Sequence, residues 1–450
     1  MTLRRAWSPC VLALLAACSH PPQGADWVPP GPFVDVRLAA TDLWSGGEVT
    51  VISSSFKAMA ALPTVQVGGA AGTVRRVDDS TIAAQLSDTD GVFALHVSAD
   101  SFQAFDATIT VHGFQQIRSG PLMSGGVQAI PGQPLILGAG DVGLVELNLR
   151  TNAVTRTWPD TVHARGCIQG VGPSVRPGHY VFFGKDLSGT CTHPYVWQYG
   201  APMVRKDSIP GRAASDWTIA EVGPGGSLRG AGQNLFISHC LAGVCTEFSY
   251  INAAANLYGV VMGTVARRAV LLNLRGSPVV DAMTGDTLYS LPFAHATRVG
   301  GAVFSPAEDT LYVVGDTSGI GGNNPKPALV MVGAATGIVY RTASFSGGYA
   351  VGIGQDALRP WLYVITQTPF ASPQLVVLDR RSLATIATLR APASLMISRS
   401  GPALSFAVVP DPGGTKLFVV VTPQDQSSLT GVAPVRILTF GLPVPTGVAP

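Results

Sequence analysis

The chain has 450 residues, too many for one ordinary domain. Charged residues make up only 12% and the net charge is +2, which excludes the strong basic field of a nucleic-acid binder and an equally strong acidic one. Gly and Pro number 52 and 34, and helical periodicity is hard to find after residue 18, so the composition points to short strands joined by tight turns.

In chain order, Arg4 and Arg5 open the sequence and an apolar run follows from Ala6 to Ala17. A membrane-spanning helix needs about 20 apolar residues, so this run is too short to cross a bilayer. A positive flank, a short apolar run and small residues at its end are the marks of an export signal. The run closes on Leu15-Ala16-Ala17-Cys18. That box resembles the lipobox of bacterial lipoproteins. The resemblance implies that residues 1–17 are a cleaved signal, that the Cys18 thiol receives a diacylglyceryl group, and that the new amino group is acylated. One acyl chain holds a membrane marginally and several hold it firmly. Ser19 stands where an aspartate retains Gram-negative members in the inner membrane. The expected address is therefore the bacterial cell envelope, and the outer membrane in a Gram-negative host. Residues 18–31 are rich in Pro and Gly and read as a tether. At the rise of polyproline it would reach on the order of 40 Å from the lipid surface.

Residues 32–114 alternate as short strands, with Val49 and Val51 on one face of "GGEVTVISSSF". The run continuing through "TVQVGG", "STIAAQL", "VFALHVSA" and "ATITVHGF" resembles the immunoglobulin-like IPT/TIG fold. Modules of that family space or bind and do not catalyse. His96, between Leu95 and Val97, is expected on the solvent side or at a sheet edge.

Residues 115–443 repeat. The unit is clearest in "GAVFSPAEDTLYVVGD…PALVMVGAATG" and "AVGIGQDALRPWLYVITQ…PQLVVLDRRSL". Third-strand ends are expected at Asn148, Tyr199, Tyr250, Asp281, Gly333, Asp379 and Phe440, spaced by 51, 51, 31, 52, 46 and 61 residues. That mean is close to the period of a four-stranded propeller blade. "LYVVGD", "LYVITQ" and "LFVVVT" resemble the Tyr-Val-Thr-Asn type of bacterial β-propeller repeat. The expected fold is all-β: a small Ig-like sandwich, then a propeller of seven blades, with six or eight as alternatives, and a tail at 444–450. Blade 7 lacks a fourth strand after Phe440, and a strand at about 115–123 is expected to supply it.

Long inserts fall between the second and third strands of a blade, at 184–194, 315–327, 368–373 and 422–434. These loops share one face of a propeller, so that face is the expected binding surface. Its polar candidates are Lys185, Asp186, Asp316, Asn323, Asn324, Lys326 and Asp425. "DTSGIGGNN" lacks the bidentate Glu of a calcium loop, and no metal or cofactor is expected. Asp281 and Asp379 recur at turns and read as turn formers. Once Cys10 leaves with the signal and Cys18 is lipidated, Cys167, Cys191, Cys240 and Cys245 remain. An even number in an exported chain favours disulfides, here Cys167–Cys191 and Cys240–Cys245; zinc is the competing reading, without a Cys-x-x-Cys spacing. The expected function is a non-catalytic binding or scaffolding lipoprotein. Its partners are the bilayer and a protein, glycan or small ligand, with no nucleic acid. The alternative is a propeller enzyme: a lyase, a lactone hydrolase or a quinone-dependent dehydrogenase. Such enzymes need acids, bases or a metal in the channel, and the inner strands "GAVFSP", "AVGIG" and "ALSFAVV" carry none.

Replacing the acylated thiol removes the anchor. Cys18→Ala is expected to abolish incorporation of a palmitate analogue in metabolic labelling, and label retained by the variant would refute the lipobox.

Overall fold

The computed structural model describes residues 31–99, 102–140, 143–159, 170–174, 176–183, 195–200, 207–208, 217–223, 226–231, 234–241, 244–250, 257–273, 277–291, 299–316, 327–346, 349–367, 372–391, 403–424 and 433–444. No α-helix occurs among them. Residues 31–112 form two sheets. One orders Arg37–Leu38, Glu48–Ile52, Thr81–Gln85 and Val74–Asp78; the other orders Asp42–Trp44, Phe102–His112, Gly91–Ala99, Thr64–Val67 and Ala70–Ala71. Alternate residues point inward because successive side chains of a strand face opposite ways. Val49, Val51 and Ser53 are fully buried accordingly, and Val65, Ile82, Leu95, Val97, Ile109 and Val111 meet them in a single core. His96 keeps an exposed ring, with Nδ1 at 2.7 Å from the Asp106 carboxylate across the strand pair.

The rest is a β-propeller. Five antiparallel sheets of four strands span 170–208, 217–250, 257–290, 299–344 and 349–390. A seven-stranded sheet joins the remaining strands through Phe114–Ala129, which is 16 residues long. Its first part, Phe114–Met123, pairs with Ala433–Gly441, and its second, Ser124–Ala129, pairs with Leu135–Gly140. The register breaks after Ser119 and again between Ser124 and Gln128, where the strand passes from one sheet to the next. With the two halves counted separately, the described strands make seven sets of four, numbered here as blades 1–7 in order from residue 124. The strands of each are lettered a to d, and Phe114–Met123 serves as strand d of blade 7. Phe114, placed by the sequence at the end of the sandwich, already belongs to this strand and pairs with Phe440.

Blade 3 corrects the repeat frame. Asn234–Leu241 is its third strand and Val244–Tyr250 its fourth, so Tyr250 ends strand d and not strand c. The short 31-residue step to Asp281 came from that shift of one strand. Cys240 and Cys245 are direct register partners in this hairpin.

Blade 6 lies between blades 5 and 7 and buries both of its faces, so its central strands read as continuous apolar runs. Leu362, Tyr363, Val364, Ile365 and Thr366 are all buried, with alternate members serving the cores on either side of blade 6. The c–d turns repeat one geometry. In blades 1, 4 and 6 a side-chain oxygen of Asn148, Asp281 or Asp379 accepts from two backbone N–H groups just ahead, as expected of turn formers. Four residues after the end of strand c, Asn152, Gly285, Gly337 and Leu383 take positive φ of 58°, 80°, 70° and 60°. Asn and Gly adopt this region readily; Leu383 does so at a cost of about 1–2 kcal/mol. Leu383 is 5% exposed and packs into the core between blades 5 and 6, and burying a Leu side chain is worth about 1.5–3 kcal/mol. Burial therefore offsets the strain.

Candidate binding face

Antiparallel alternation puts the a–b and c–d turns at one end of the propeller and the b–c and d–a connections at the other. The first end is tied off by its own residues. The Glu308 carboxylate in blade 5 accepts from the backbone N–H groups of Thr264, Val265 and Ala266 in blade 4, at 2.7, 2.9 and 2.7 Å. Tyr289 of blade 4 donates to the Ala334 carbonyl of blade 5 at 3.0 Å. Arg150 in blade 1 donates through Nε to Asp411 of blade 7 at 2.6 Å. Arg118 donates to the Leu149 and Arg150 carbonyls, which joins the closing strand to blade 1. Tyr199 of blade 2 donates to the buried Glu146 of blade 1 at 2.7 Å, and Thr155 donates to the other oxygen of that carboxylate.

Asp356 and Arg359 in the a–b turn of blade 6 are the most buried ion pair described there, with side chains 3% and 6% exposed. The Arg359 guanidinium donates to Asp356 at 2.7 Å, to the Pro443 carbonyl at 2.6 Å, and to the Gly414 carbonyl in blade 7. Tyr363 donates to the same carboxylate. Removing one member of such a pair strands a buried charge at a cost of about 3–5 kcal/mol. Sequence reading missed this group. Its signal was the Asp-x-x-Arg spacing in "DALRPWLY", which a turn residue and a nearby cation explain equally well on paper.

The opposite end carries the variation. The connections between strands b and c are long in blade 2 (184–194), blade 5 (317–326), blade 6 (368–373) and blade 7 (425–432), and short in blades 1, 3 and 4 (141–142, 232–233 and 274–277). Those between blades run over 160–169, 209–216, 251–256, 291–298 and 391–402. At the tied-off end the one connection longer than five residues between described strands is 199–206. Asp316 closes strand b of blade 5, paired through its backbone with Pro327, and so stands at the b–c end. Lys185, Asp186, Asn323, Asn324, Lys326 and Asp425 lie outside the described residues, as do Cys18, Cys167 and Cys191.

No protein-family model matches this chain, and no curated protein matches it. Among solved structures, the β-propeller domain of Cps50 (Swd1) from Myceliophteria thermophila is similar at a TM-score of 0.45 and 11% identity, over 74% of this chain and 100% of that one. Dihydro-heme d1 dehydrogenase NirN in complex with DHE is similar at a TM-score of 0.42 and 12% identity, over 78% of this chain and 72% of that one. Both likenesses are too slight to carry a functional argument.

Of the innermost strands, Val299–Phe304 and Ala403–Pro410 carry no His, Cys, Asp, Glu, Lys or Tyr, while Tyr349–Gln355 carries the Tyr349 phenol and Trp217–Gly223 carries Glu221. Among the described residues no three His, Cys, Asp or Glu side chains come together as a metal site. The titrations that do shift belong to the framework. Backbone N–H donation from Ser382, with its hydroxyl, holds Asp379 below the usual carboxylate range. Burial pushes the phenols of Tyr180, Tyr199 and Tyr289 up to about 12, with the Glu146 carboxylate adding to the effect on Tyr199.

A raised phenol favours the folded state while it stays protonated. The stability from Tyr180, Tyr199 and Tyr289 is therefore complete below their ordinary value of 10.0 and is lost as the pH climbs toward about 12. In an alkaline titration followed by ultraviolet absorbance and circular dichroism, a late tyrosinate step is expected to coincide with loss of sheet signal. Ionisation of every tyrosine near pH 10 in folded protein would contradict it.

Proposed function

We propose that this chain is a lipid-anchored protein of the bacterial envelope that binds or scaffolds a partner through the b–c end of a seven-bladed propeller, without chemical turnover. In this reading Cys18 carries the lipid, residues 18–31 are the tether, and residues 32–112 are an IPT/TIG-like spacer. The observation that carries the reading is the asymmetry of the two ends. Long connections gather at the b–c and d–a end, while the a–b and c–d end spends its polar side chains on neighbouring blades. Loops on a rigid scaffold tolerate variation and so acquire binding roles. A net charge of +2 gives nucleic acid no strong attraction.

Two disulfides belong to the same reading, since exported chains meet an oxidising environment. The facing register of Cys240 and Cys245 supports the first. The second, Cys167–Cys191, closes 23 intervening residues and should contribute roughly 3 kcal/mol through loop entropy. Peptide mapping without reductant is expected to recover both pairs; four free thiols or a bound zinc would defeat this.

Replacing 317–326 by a tight turn should leave folding intact, because loop length has a weak effect on stability. It should reduce capture of the native partner from membranes severalfold, whereas shortening the c–d connection 199–206 should not. Equal behaviour of the two deletions, or substrate turnover abolished by a channel substitution, would overturn the proposal.

A further inference from the structure

The sandwich and the propeller meet in a joint with a single intervening residue. Phe102–His112 ends and Phe114–Ala129 begins on either side of Gly113. Both polar groups of that residue are engaged, one on each domain. Its N–H donates to the Asp90 carboxylate of the sandwich at 2.9 Å, and its carbonyl accepts from the Gly441 N–H of the propeller at 2.8 Å. Gln115 donates to the other Asp90 oxygen at 3.2 Å. There is no room for a side chain at either glycine. A Cβ on Gly113 would run into the Ser45 hydroxyl, and one on Gly441 would lie 2.5 Å from the Asp90 carboxylate. Beside this clasp, the Trp44 ring of the sandwich packs on Trp361 of blade 6, with centroids 5.6 Å apart. The Arg359 guanidinium lies 4.6 Å from the Trp361 ring, so the buried Asp356–Arg359 pair sits directly behind the aromatic contact.

The joint has a direction. Trp361 opens strand b of blade 6 and Gly441 closes strand c of blade 7, so both lie at the a–b and c–d end. The sandwich is therefore docked on the end opposite the long loops. The chain reaches the sandwich at its other pole. Gly31 bridges Phe102, Gln103 donates to the Gly31 carbonyl at 2.8 Å, and Phe33 stacks on Phe102 with centroids 5.1 Å apart. Phe102 and Gly113 stand at the two ends of an 11-residue strand, about 35 Å apart at the rise of an extended chain.

We infer that the sandwich and the propeller form one rigid strut, which turns the b–c and d–a loops away from the pole where the tether arrives. This rests on the anchored reading above. With Cys18 in lipid, the loop-bearing end stands on the order of 100 Å from its own bilayer, from tether, sandwich and blade lengths in series. A partner seated on those loops then approaches from the side opposite the pole where the tether arrives.

Two measurements on the full lipidated chain test the strut. Spin labels placed by genetic encoding at Gln103 and Leu122, both exposed, report one distance across the joint. A single narrow distribution is expected. Trp44→Ala, or a Gly-Gly-Ser insertion after Gly113, should at least double its width while circular dichroism is unchanged. A broad wild-type distribution that neither change affects would overturn the inference. For the second measurement, a fluorophore at the same positions is read on vesicles of phosphatidylethanolamine and phosphatidylglycerol carrying a headgroup acceptor. Energy transfer from Gln103 should exceed that from Leu122 severalfold, and the insertion should narrow the gap. Equal transfer from both in vesicle-bound wild type would also refute the strut. Failure to bind vesicles at all would refute the anchor, and the distance across the joint would then decide the strut alone.

Discussion

The propeller depends on one strand with two partners. Phe114–Ala129 completes blade 7 with its first half and begins blade 1 with its second. Without that first half, Ala433–Gly441 would be an unpaired edge, and unpaired backbone groups at an edge invite association with other chains. Around the seam the apolar contacts run without interruption. Met123, Val127, Ile136, Leu147, Phe418, Val420 and Ile437 share one core, and Phe114 meets Phe440 edge-on with centroids 5.6 Å apart. Polar contacts reinforce it from the turn side, where Arg118 and Asn152 bind carbonyls across the junction.

Because the closing strand follows the sandwich after one residue, closure of the ring and docking of the sandwich are coupled. Asp90 touches Gly113 and Gln115 at the start of that strand, and Gly441 lies beside them. An exposed Asp at this position would be worth little. Here it accepts from the buried Gly113 N–H between the two domains, and leaving that donor unpaired costs about 1–3 kcal/mol. The aromatic pair adds about 0.5–1.5 kcal/mol beyond its area. Neither quantity is large, but both act on a linker with almost no length in which to bend.

The two ends of the propeller divide their labour for a related reason. Bonds between neighbouring blades need turns of constant shape, and the repeated left-handed position at Asn152, Gly285, Gly337 and Leu383 supplies that constancy. Turns committed to carbonyls and carboxylates of adjacent blades are poor places to vary. The longest connections fall at the other end.

The sequence by itself determined what depends on near neighbours in the chain. Alternation put Val49 and Val51 on one face, which the structure buries. Turn chemistry identified Asp281 and Asp379, and the spacing of apolar runs disclosed the blades and the side on which long loops gather. Each of these has a period of a few residues or a few tens. The tertiary structure alone decided the rest. It placed Tyr250 on a fourth strand, because four-stranded runs of similar composition differ only in which partner they find. It seated Trp44 on Trp361 and drew Arg359 to Gly414 and Pro443. Such contacts join residues remote in sequence. No local pattern encodes them, since they exist only after the ring has closed and brought its first and last strands together.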